Sequence, residues 1–366
     1  MRWMSICAAE ASDMWIVYHV FPAVLAVSAG ICLYISLCKL CETRTSWRRA
    51  SALIAVLAAL FMLDLCSVWT LFMMHLCVFL LLWLLARRLS SRRLCWGLPL
   101  SCLLAAAMIL GGMANARDIH ATRVTIENEQ LDEDLRIAWL SDLHYPTSAD
   151  AGALRQLVRR ISDEQPDVII LGGDIVDEHT SAAQMEEAFD ELGKLRSSLG
   201  IYYIYGNHDC ARYSDQPAYS EEQLERAIAR QGIEILCDER VLLRDDVMLV
   251  GRDDRTHAQG SRAAAEELMG DEDVCHILLD HRPLQLAENA AAGYDLQLSG
   301  HTHDGQIFPI GTLCSLLGLN ELEHGTLHAD GFSAVVSSGA GTWGYPVRTQ
   351  GISEYVVIDM KKAADA

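Results

Sequence analysis

Long apolar runs fill the first third of this chain, and short apolar runs alternate with polar residues in the rest. The long runs cover residues 14–37, 50–86 and 94–114, and only Asp64 and His75 interrupt the middle one. One bilayer span needs about 20 apolar residues. Because a lone carboxylate is costly at mid-bilayer and tolerated at the interface, we expect the middle run to turn near Asp64. The pattern predicts four membrane helices, at residues 14–37, 50–64, 67–86 and 94–114.

A buried helical core and a cleaved signal peptide are the alternatives for these runs. Three such runs exceed what a soluble core needs, and the first is longer than a usual signal peptide's apolar part and lacks an evident cleavage site. Loops rich in Lys and Arg stay in the cytoplasm. Basic residues follow the first and third predicted spans: Lys39, Arg44, Arg48, Arg49, Arg87, Arg88, Arg92 and Arg93. We therefore predict a multi-pass cell-membrane protein whose catalytic part lies outside the cytoplasm.

Residues 117–366 form a second predicted domain, in which β-rich runs alternate with amphipathic helical runs. Strands are predicted at residues 135–140, 167–171, 201–205, 247–250, 276–279, 295–298, 334–338 and 355–358. Helices are predicted at residues 153–164 and 182–195, and the spacings of Ser181 with Gln184 and of Ser220 with Gln223 are typical of capping boxes. This alternation predicts a layered α/β fold.

Charge separates the same two parts. Residues 1–116 hold 9 Lys and Arg against 4 Asp and Glu, net +5, which leaves 20 against 45, net −25, for residues 117–366. Nucleic-acid binding rests on cationic contacts with phosphates, so an acidic domain argues against a nucleic-acid partner. The 12 cysteines include no C-x-x-C motif, so the sequence indicates neither a structural zinc site nor a disulfide framework. No feature identifies a protein partner.

Polar motifs follow five of the predicted strands. They are Asp142-x-His144, Gly173-Asp174-x-x-Asp177, Gly206-Asn207-His208-Asp209, His281 before Pro283, and Gly300-His301-Thr302-His303. Loops that leave one edge of a sheet can converge on a point. Two divalent cations need about seven or eight N and O ligands, and imidazole, carboxylate and amide oxygen suit borderline metals. The series predicts a two-metal phosphoesterase centre.

The chemistry of each motif suggests separate roles. The two oxygens of Asp174 can bridge ions that lie about 3.5–4 Å apart, and Asp177 is better placed to orient a ligand. His208 can protonate a leaving group, and Asp209 could fix its tautomer. Pro283 is expected as a first helical residue, which would project His281 from a strand-to-helix turn.

The series D-L-H, G-D-I-V-D, G-N-H-D, L-L-D-H-R-P and G-H-T-H-D-G-Q resembles the calcineurin-like metallophosphoesterase superfamily, from about residue 135 to the C-terminus. Residues 339–357 resemble the closing segment of its membrane-associated bacterial branch, which is similar to the group called transmembrane protein with metallophosphoesterase domain. The resemblance implies a four-layer αββα sandwich and in-line attack on phosphorus by a hydroxide that bridges two divalent metals, with Mn²⁺ favoured and Fe or Zn²⁺ as alternatives. It implies these ligands: Asp142, His144, Asp174 and His303 for the first metal; Asp174, Asn207, His281 and His301 for the second.

The chain departs from that branch at two places. Asp304 stands where many members have glycine, so an added carboxylate is expected to alter ion preference or repel some anionic substrates. Ser353-Glu354 stands where Pro-Glu is usual. Arg348, the only cation in the final glycine-rich segment, is a candidate for binding a substrate phosphate, with a surface salt bridge as the alternative.

We predict a membrane-anchored hydrolase of phosphomonoesters or phosphodiesters that acts on a phosphorylated small molecule or lipid, most naturally a lipid-linked or cell-envelope phosphate. Residues 313–319 are expected either to form an apolar lip beside the metals or to pack. One alternative is a UDP-2,3-diacylglucosamine pyrophosphate hydrolase of lipid A synthesis. That function requires a cytoplasmic active site, and the arginine distribution argues against such a site. Another is a non-catalytic membrane sensor, against which the intact ligands and His208 argue.

Overall fold

The computed structural model divides the chain into two compact units, Met1–Ala114 and Asn115–Ala366. It describes residues 21–40, 45–60, 62, 67–89, 96–259, 262–270, 272–329 and 331–363. Helices in the first part of the chain are α1 (Phe21–Leu40), α2 (Thr45–Leu60), α3 (Val68–Leu89) and α4 (Gly97–Asn115). Small residues such as Ala26, Ala29 and Ala55 are buried where α1 and α2 pack together, as is usual for closely approaching apolar helices.

Two of these helices, α3 and α4, are long and apolar enough to cross a membrane. Within the described residues, α1 and α2 contribute the shorter apolar stretches Ala26–Cys38 and Ala50–Leu60. The predicted four spans therefore correspond to two candidate membrane helices and two shorter ones. Residues 14–20, the turn at Asp64 and the loop residues Arg44, Arg92 and Arg93 lie outside the described residues.

The second unit contains two six-stranded sheets. The strands are β1 (Ile119–Asn128), β2 (Leu135–Leu140), β3 (Val168–Leu171), β4 (Ile201–Tyr203), β5 (Glu234–Ile235), β6 (Glu239–Arg244), β7 (Val247–Gly251), β8 (Cys275–Leu279), β9 (Leu296–Ser299), β10 (Gly325–Ala329), β11 (Phe332–Val336) and β12 (Ser353–Lys362). One sheet has the order β1-β12-β2-β3-β4-β5 and the other β10-β11-β9-β8-β7-β6. Strands β2 to β5 run parallel, as do β7, β8, β9 and β11. The predicted mixed α/β fold is confirmed.

Helices cover the outer face of each sheet. The helices α5 (Ala151–Asp163), α6 (Ala182–Leu192) and α7 (Glu221–Arg230) pack on the first sheet, and α8 (Ala265–Leu268) and α9 (Leu286–Ala292) pack on the second. Between the sheets lies a third apolar layer that includes Trp139 and Ile277. Ser181 and Ser220 form the predicted capping boxes.

Candidate metal centre

The predicted site residues lie in loops that leave the carboxyl ends of parallel strands. These loops follow β2, β3, β4, β8 and β9. Backbone contacts join them: the N–H of Asp142 donates to the carbonyl of Gly173 at 2.9 Å, and the N–H of Gly300 donates to the carbonyl of His281 at 2.9 Å. The expectation that Pro283 begins a helix is wrong, because α9 begins only at Leu286. His281 still projects from the loop after β8.

One group of potential ligands is formed by Asp142, His144 and His303, whose ligand atoms all lie within 4.8 Å of one another. The Oδ1 of Asp142 is 3.6 Å from Nε2 of His303. Nε2 of His144 and Nε2 of His303 face each other at 3.2 Å. Two imidazole nitrogens beside a carboxylate are a donor set that suits a borderline divalent cation.

A second group is formed by Asp174, His281 and His301, again with ligand atoms within 4.8 Å. The Oδ2 of Asp174 lies 3.1 Å from Nε2 of His281. The same oxygen lies 3.8 Å from Nε2 of His144, a member of the first group. Asp174 therefore stands between the two groups, where a carboxylate could be shared by two ions.

Asn207 completes the set of seven predicted ligands. It is buried, and its Oδ1 accepts no hydrogen bond from any residue that the structure describes. The preceding Gly206 packs against Asp174 so closely that a Cβ there would lie 2.2 Å from the Oδ1 of Asp174. A buried amide oxygen without a donor is costly, and a cation would satisfy it. The donor set thus fits a pair of metal ions.

The backbone at the predicted ligands is unusual. Non-glycine residues seldom adopt a positive φ. Five of the seven do so: Asp142 (φ 53°), His144 (φ 45°), Asp174 (φ 52°), His301 (φ 70°) and His303 (φ 52°). Such conformations cost about 1–3 kcal/mol each and persist where the surrounding structure imposes them, often at functional sites. The fold therefore holds strained loops that direct these side chains towards one point.

The electrostatics of the site favour a cation. Burial alone would raise the pKa of the Asp174 carboxyl, but the neighbouring His281 holds that pKa well below its ordinary value. Burial opposes protonation of His281, yet Asp174 raises its pKa to about 10. Burial lowers the pKa of His301 and His303 well below the ordinary value, and neutral imidazole is the form that binds metals. Positive charge is therefore stabilised beside Asp174. The imidazole rings of His301 and His303 are kept in the neutral form that can bind a metal.

Comparison with known proteins agrees with this geometry. The family model described as calcineurin-like phosphoesterase matches residues 135–305, the stretch that contains all the motifs above. This region is a calcineurin-like phosphoesterase domain.

Two relatives and one solved structure illustrate the similarity. An uncharacterized metallophosphoesterase of Campylobacter jejuni is 27% identical over 65% of this chain and 62% of its own length. A Danio rerio protein named transmembrane protein with metallophosphoesterase domain is 28% identical over 72% of this chain and 62% of its own length. The chain therefore spans about three fifths of the length of these relatives. A crystal structure from Thermus thermophilus gives a TM-score of 0.36 at 14% identity, covering 57% of this chain and 91% of that one.

Within the phosphoesterase domain, Asp177 lies beside a predicted ligand. Its Oδ2 is 3.1 Å from Nδ1 of His144, and both side chains are fully buried. Burial would raise the pKa of Asp177, but the hydrogen bond with His144 lowers it below its ordinary value. A carboxylate at Nδ1 fixes the ring so that Nε2 faces the site. The contact is the one expected of a residue that orients a ligand.

His208, the predicted proton donor, pairs with Glu178. Its Nδ1 lies 2.9 Å and 3.0 Å from the two carboxylate oxygens of Glu178. The prediction that Asp209 fixes the tautomer of His208 is therefore wrong. The sequence analysis did not predict a role for Glu178. The only signal was its position next to Asp177 in the G-D-x-x-D motif.

Asp209 instead ties two loops of the phosphoesterase domain together. Its carboxylate accepts hydrogen bonds from the backbone N–H groups of Gly206 at 2.7 Å, Asp174 at 2.8 Å and Ile175 at 2.9 Å. With the N–H of Val176 at 3.3 Å, four backbone donors occupy the carboxylate, and none of its hydrogen bonds goes to His208 within the described residues. Asp209 supports the loops that carry Asn207 and Asp174.

Arg348 is a structural residue of the second unit. It is fully buried, and its guanidinium donates to the carbonyls of His303 at 2.8 Å, Ser338 at 2.9 Å and Gly341 at 2.6 Å. The predictions of a substrate phosphate ligand and of a surface salt bridge are both wrong, because the final glycine-rich loop closes over the side chain. A basic residue that sequence reasoning missed is Arg282, whose Nη1 lies 3.5 Å from Nε2 of His301 and whose Nε donates to Asp254 at 2.6 Å.

The Glu178 contact makes a testable prediction. Glu178→Gln should lower kcat by roughly tenfold, because a neutral amide orients His208 less strongly than a carboxylate does. Metal content should stay unchanged, since Glu178 touches neither ligand group. Steady-state kinetics with metal analysis would check this, with Glu222→Gln as the exposed control. A kcat equal to that of the unaltered chain would refute the positioning role.

Proposed function

We propose that this chain is a membrane-anchored phosphoesterase that hydrolyses phosphomonoester or phosphodiester bonds with two divalent cations. The observation that carries the proposal is the position of Asp174, 3.1 Å from a ligand of one group and 3.8 Å from a ligand of the other. Unrelated surface motifs would not be expected to bring two carboxylate–histidine groups to one shared carboxylate.

These contacts support the ligand assignment that the family resemblance implies. The first ion would be held by Asp142, His144, Asp174 and His303, and the second by Asp174, Asn207, His281 and His301. Carboxylate and amide oxygens suit Mn²⁺ and imidazole suits Fe and Zn²⁺, so the mixed donor set is compatible with all three, of which we propose Mn²⁺. Such ions, when bound, acidify water and neutralise charge on the phosphoryl oxygens.

The side chains of the domain supply the remaining steps. Glu178 faces Nδ1 of His208, so the proton that His208 can give to a leaving group sits on Nε2. Asp177 holds His144, and Asp209 holds the loops around Asp174. Of these residues, His208 can transfer a proton, and Glu178, Asp177 and Asp209 position side chains and loops of the site.

Chelation tests this function. The purified chain should hydrolyse p-nitrophenyl phosphate or bis(p-nitrophenyl) phosphate, lose most of that activity with EDTA, and regain it when Mn²⁺ is returned. Activity that survives complete metal removal would contradict the proposal. Phosphatase assays of the metal-free and metal-loaded protein provide the comparison.

We further propose that α3 and α4 span the cell membrane, that the chain crosses it more than once, and that the phosphoesterase domain lies outside the cytoplasm. Basic residues flank the apolar helices, among them Arg48, Arg87 and Arg88, which supports cytoplasmic loops there. The relative from Danio rerio carries the word transmembrane in its name. On this basis a lipid-linked or cell-envelope phosphate is the proposed substrate, and nucleic acid is not.

The orientation has its own test. A reporter that is active only outside the cytoplasm, fused after residue 366, should be active, because the loops that carry the arginines stay inside. A reporter active only in the cytoplasm, fused at the same place, should be silent. The reverse pattern would overturn the orientation and would leave the hydrolytic function intact.

A further inference from the structure

An exposed apolar helix follows the metal-ligand loop. It is α10 (Ile310–Leu317), and it begins seven residues after His303. The large hydrophobic side chains that are exposed in the described part of the second unit are Leu242, Leu313, Leu316, Leu317 and Leu327. Three of these five lie on α10, with 50%, 78% and 70% of Leu313, Leu316 and Leu317 exposed. The expected alternative, that this segment packs, does not hold for these three leucines.

The start of α10 is packed rigidly against the loop that holds His303. A Cβ on Gly305 would lie 2.2 Å from the Cα of Gly311, and a Cβ on Gly311 would lie 2.3 Å from the carbonyl oxygen of Asp304. No side chain larger than hydrogen fits at either position, so the backbone of the loop after His303 is in direct contact with the backbone at the start of α10. Whatever binds α10 therefore acts directly beside the candidate metal centre.

Hydrogen bonds through residues 348–351 link α10 to Asn115, the first residue of the second unit. Asn115 is the last residue of α4, a candidate membrane helix, and its side-chain amide donates to the carbonyls of Arg348 at 3.0 Å and Gly351 at 2.9 Å. Gln350 of that segment accepts a hydrogen bond from the N–H of Thr312, in α10, at 3.3 Å. Asn115, the first residue of the second unit, is thus hydrogen-bonded to the same segment that contacts α10.

We infer that α10 lies in the surface of the bilayer, inserts its three exposed leucines among the acyl chains, and presents the metal centre to the phosphate of a membrane lipid. This inference rests on the proposed function for its substrate. Residues 310–320 contain no Asp, Glu, Lys or Arg, so no charge opposes insertion. We propose the bilayer, rather than a second copy of the chain, as the partner of α10. The segment that contacts α10 through Gln350 also accepts hydrogen bonds from Asn115, the last residue of a candidate membrane helix.

Photo-crosslinking of the full chain tests the location of α10. The chain is reconstituted in phosphatidylcholine vesicles that contain a minor fraction of phosphatidic acid, with p-benzoylphenylalanine in place of Leu316 or, as the matched control, of Leu242, which is 52% exposed on β6. We expect lipid adducts at position 316 and few or none at 242. Equal yields, or an adduct to protein at 316 in place of lipid, would overturn the inference.

Kinetics test the substrate. The double variant Leu316→Ser with Leu317→Ser should hydrolyse phosphatidic acid in vesicles about tenfold or more slowly, because two apolar anchors are lost, while hydrolysis of p-nitrophenyl phosphate stays unchanged. The control Leu242→Ser should change neither rate. Equal losses on both substrates, or hydrolysis of the soluble ester alone by the unaltered chain, would contradict a lipid substrate. If the unaltered chain hydrolyses neither ester, the proposed function is contradicted. The location of α10 in the bilayer would still be tested, because photo-crosslinking to lipid does not depend on catalysis.

Discussion

Replacing Asp174 with alanine is expected to lower kcat/KM by about 10³–10⁵-fold, since charge stabilisation by bound cations is worth several kcal/mol and each 1.4 kcal/mol is tenfold in rate. The carboxylate lies between the two ligand groups, 3.1 Å from His281 and 3.8 Å from His144. Its Oδ1 also accepts the backbone N–H of His208 at 2.8 Å. Removing it takes a ligand from both ions and loosens the loop of the proton donor.

The Asp174→Ala variant should therefore lose bound metal as well as activity. Elemental analysis and steady-state kinetics would measure the two losses, and circular dichroism would establish that the variant is folded. Asp215→Ala is a suitable control, because Asp215 is exposed. A folded Asp174→Ala variant that keeps two ions and most of its activity would show that this carboxylate is not shared between metals.

His208→Asn is expected to lower kcat by about 10²–10⁴-fold while leaving metal content unchanged, because proton transfer to a leaving group contributes on this scale. His208 belongs to neither ligand group, and its Nδ1 is bound by Glu178. The ring lies between Tyr213 and Trp343, with centroid distances of 5.0 Å and 5.4 Å. These contacts hold the ring in place without a metal.

The leaving group discriminates between proton donation and simple substrate binding. The loss in His208→Asn should be large for an alkyl phosphate, whose alkoxide needs a proton, and much smaller for p-nitrophenyl phosphate, whose phenolate leaves readily. His120→Asn, on an exposed residue, should change neither rate. Equal losses for both leaving groups would rule out His208 as the general acid.

The sequence predicted eight of the twelve described strands and the loop positions of the site, for a physical reason. Each short apolar run is bounded by polar residues and glycine, so Leu135–Leu140 and Val168–Leu171 could be assigned almost to the residue. The motifs then follow the carboxyl ends of parallel strands, which meet at one edge. The order of strands in each sheet, by contrast, depends on pairing between distant segments, and no local pattern encodes it.

The sequence did not predict which neighbouring side chain makes a given contact. Asp209 was predicted as the partner of His208, whereas Glu178 pairs with it, and the difference depends on loop backbone such as the positive φ of Asp174. Arg348 was expected to bind a substrate phosphate or to form a surface salt bridge, yet the loop closes over it. The apolar pattern likewise counted four spans, whereas the described helices provide two that are long enough.

The central claim is that two divalent cations share Asp174. Electron paramagnetic resonance of the chain loaded with Mn²⁺ tests it most directly, because ions about 3.5–4 Å apart are magnetically coupled. We expect two Mn²⁺ per chain and the spectrum of a coupled pair, which is lost in Asp174→Ala. The spectrum of a single isolated Mn²⁺ ion at full loading would contradict it.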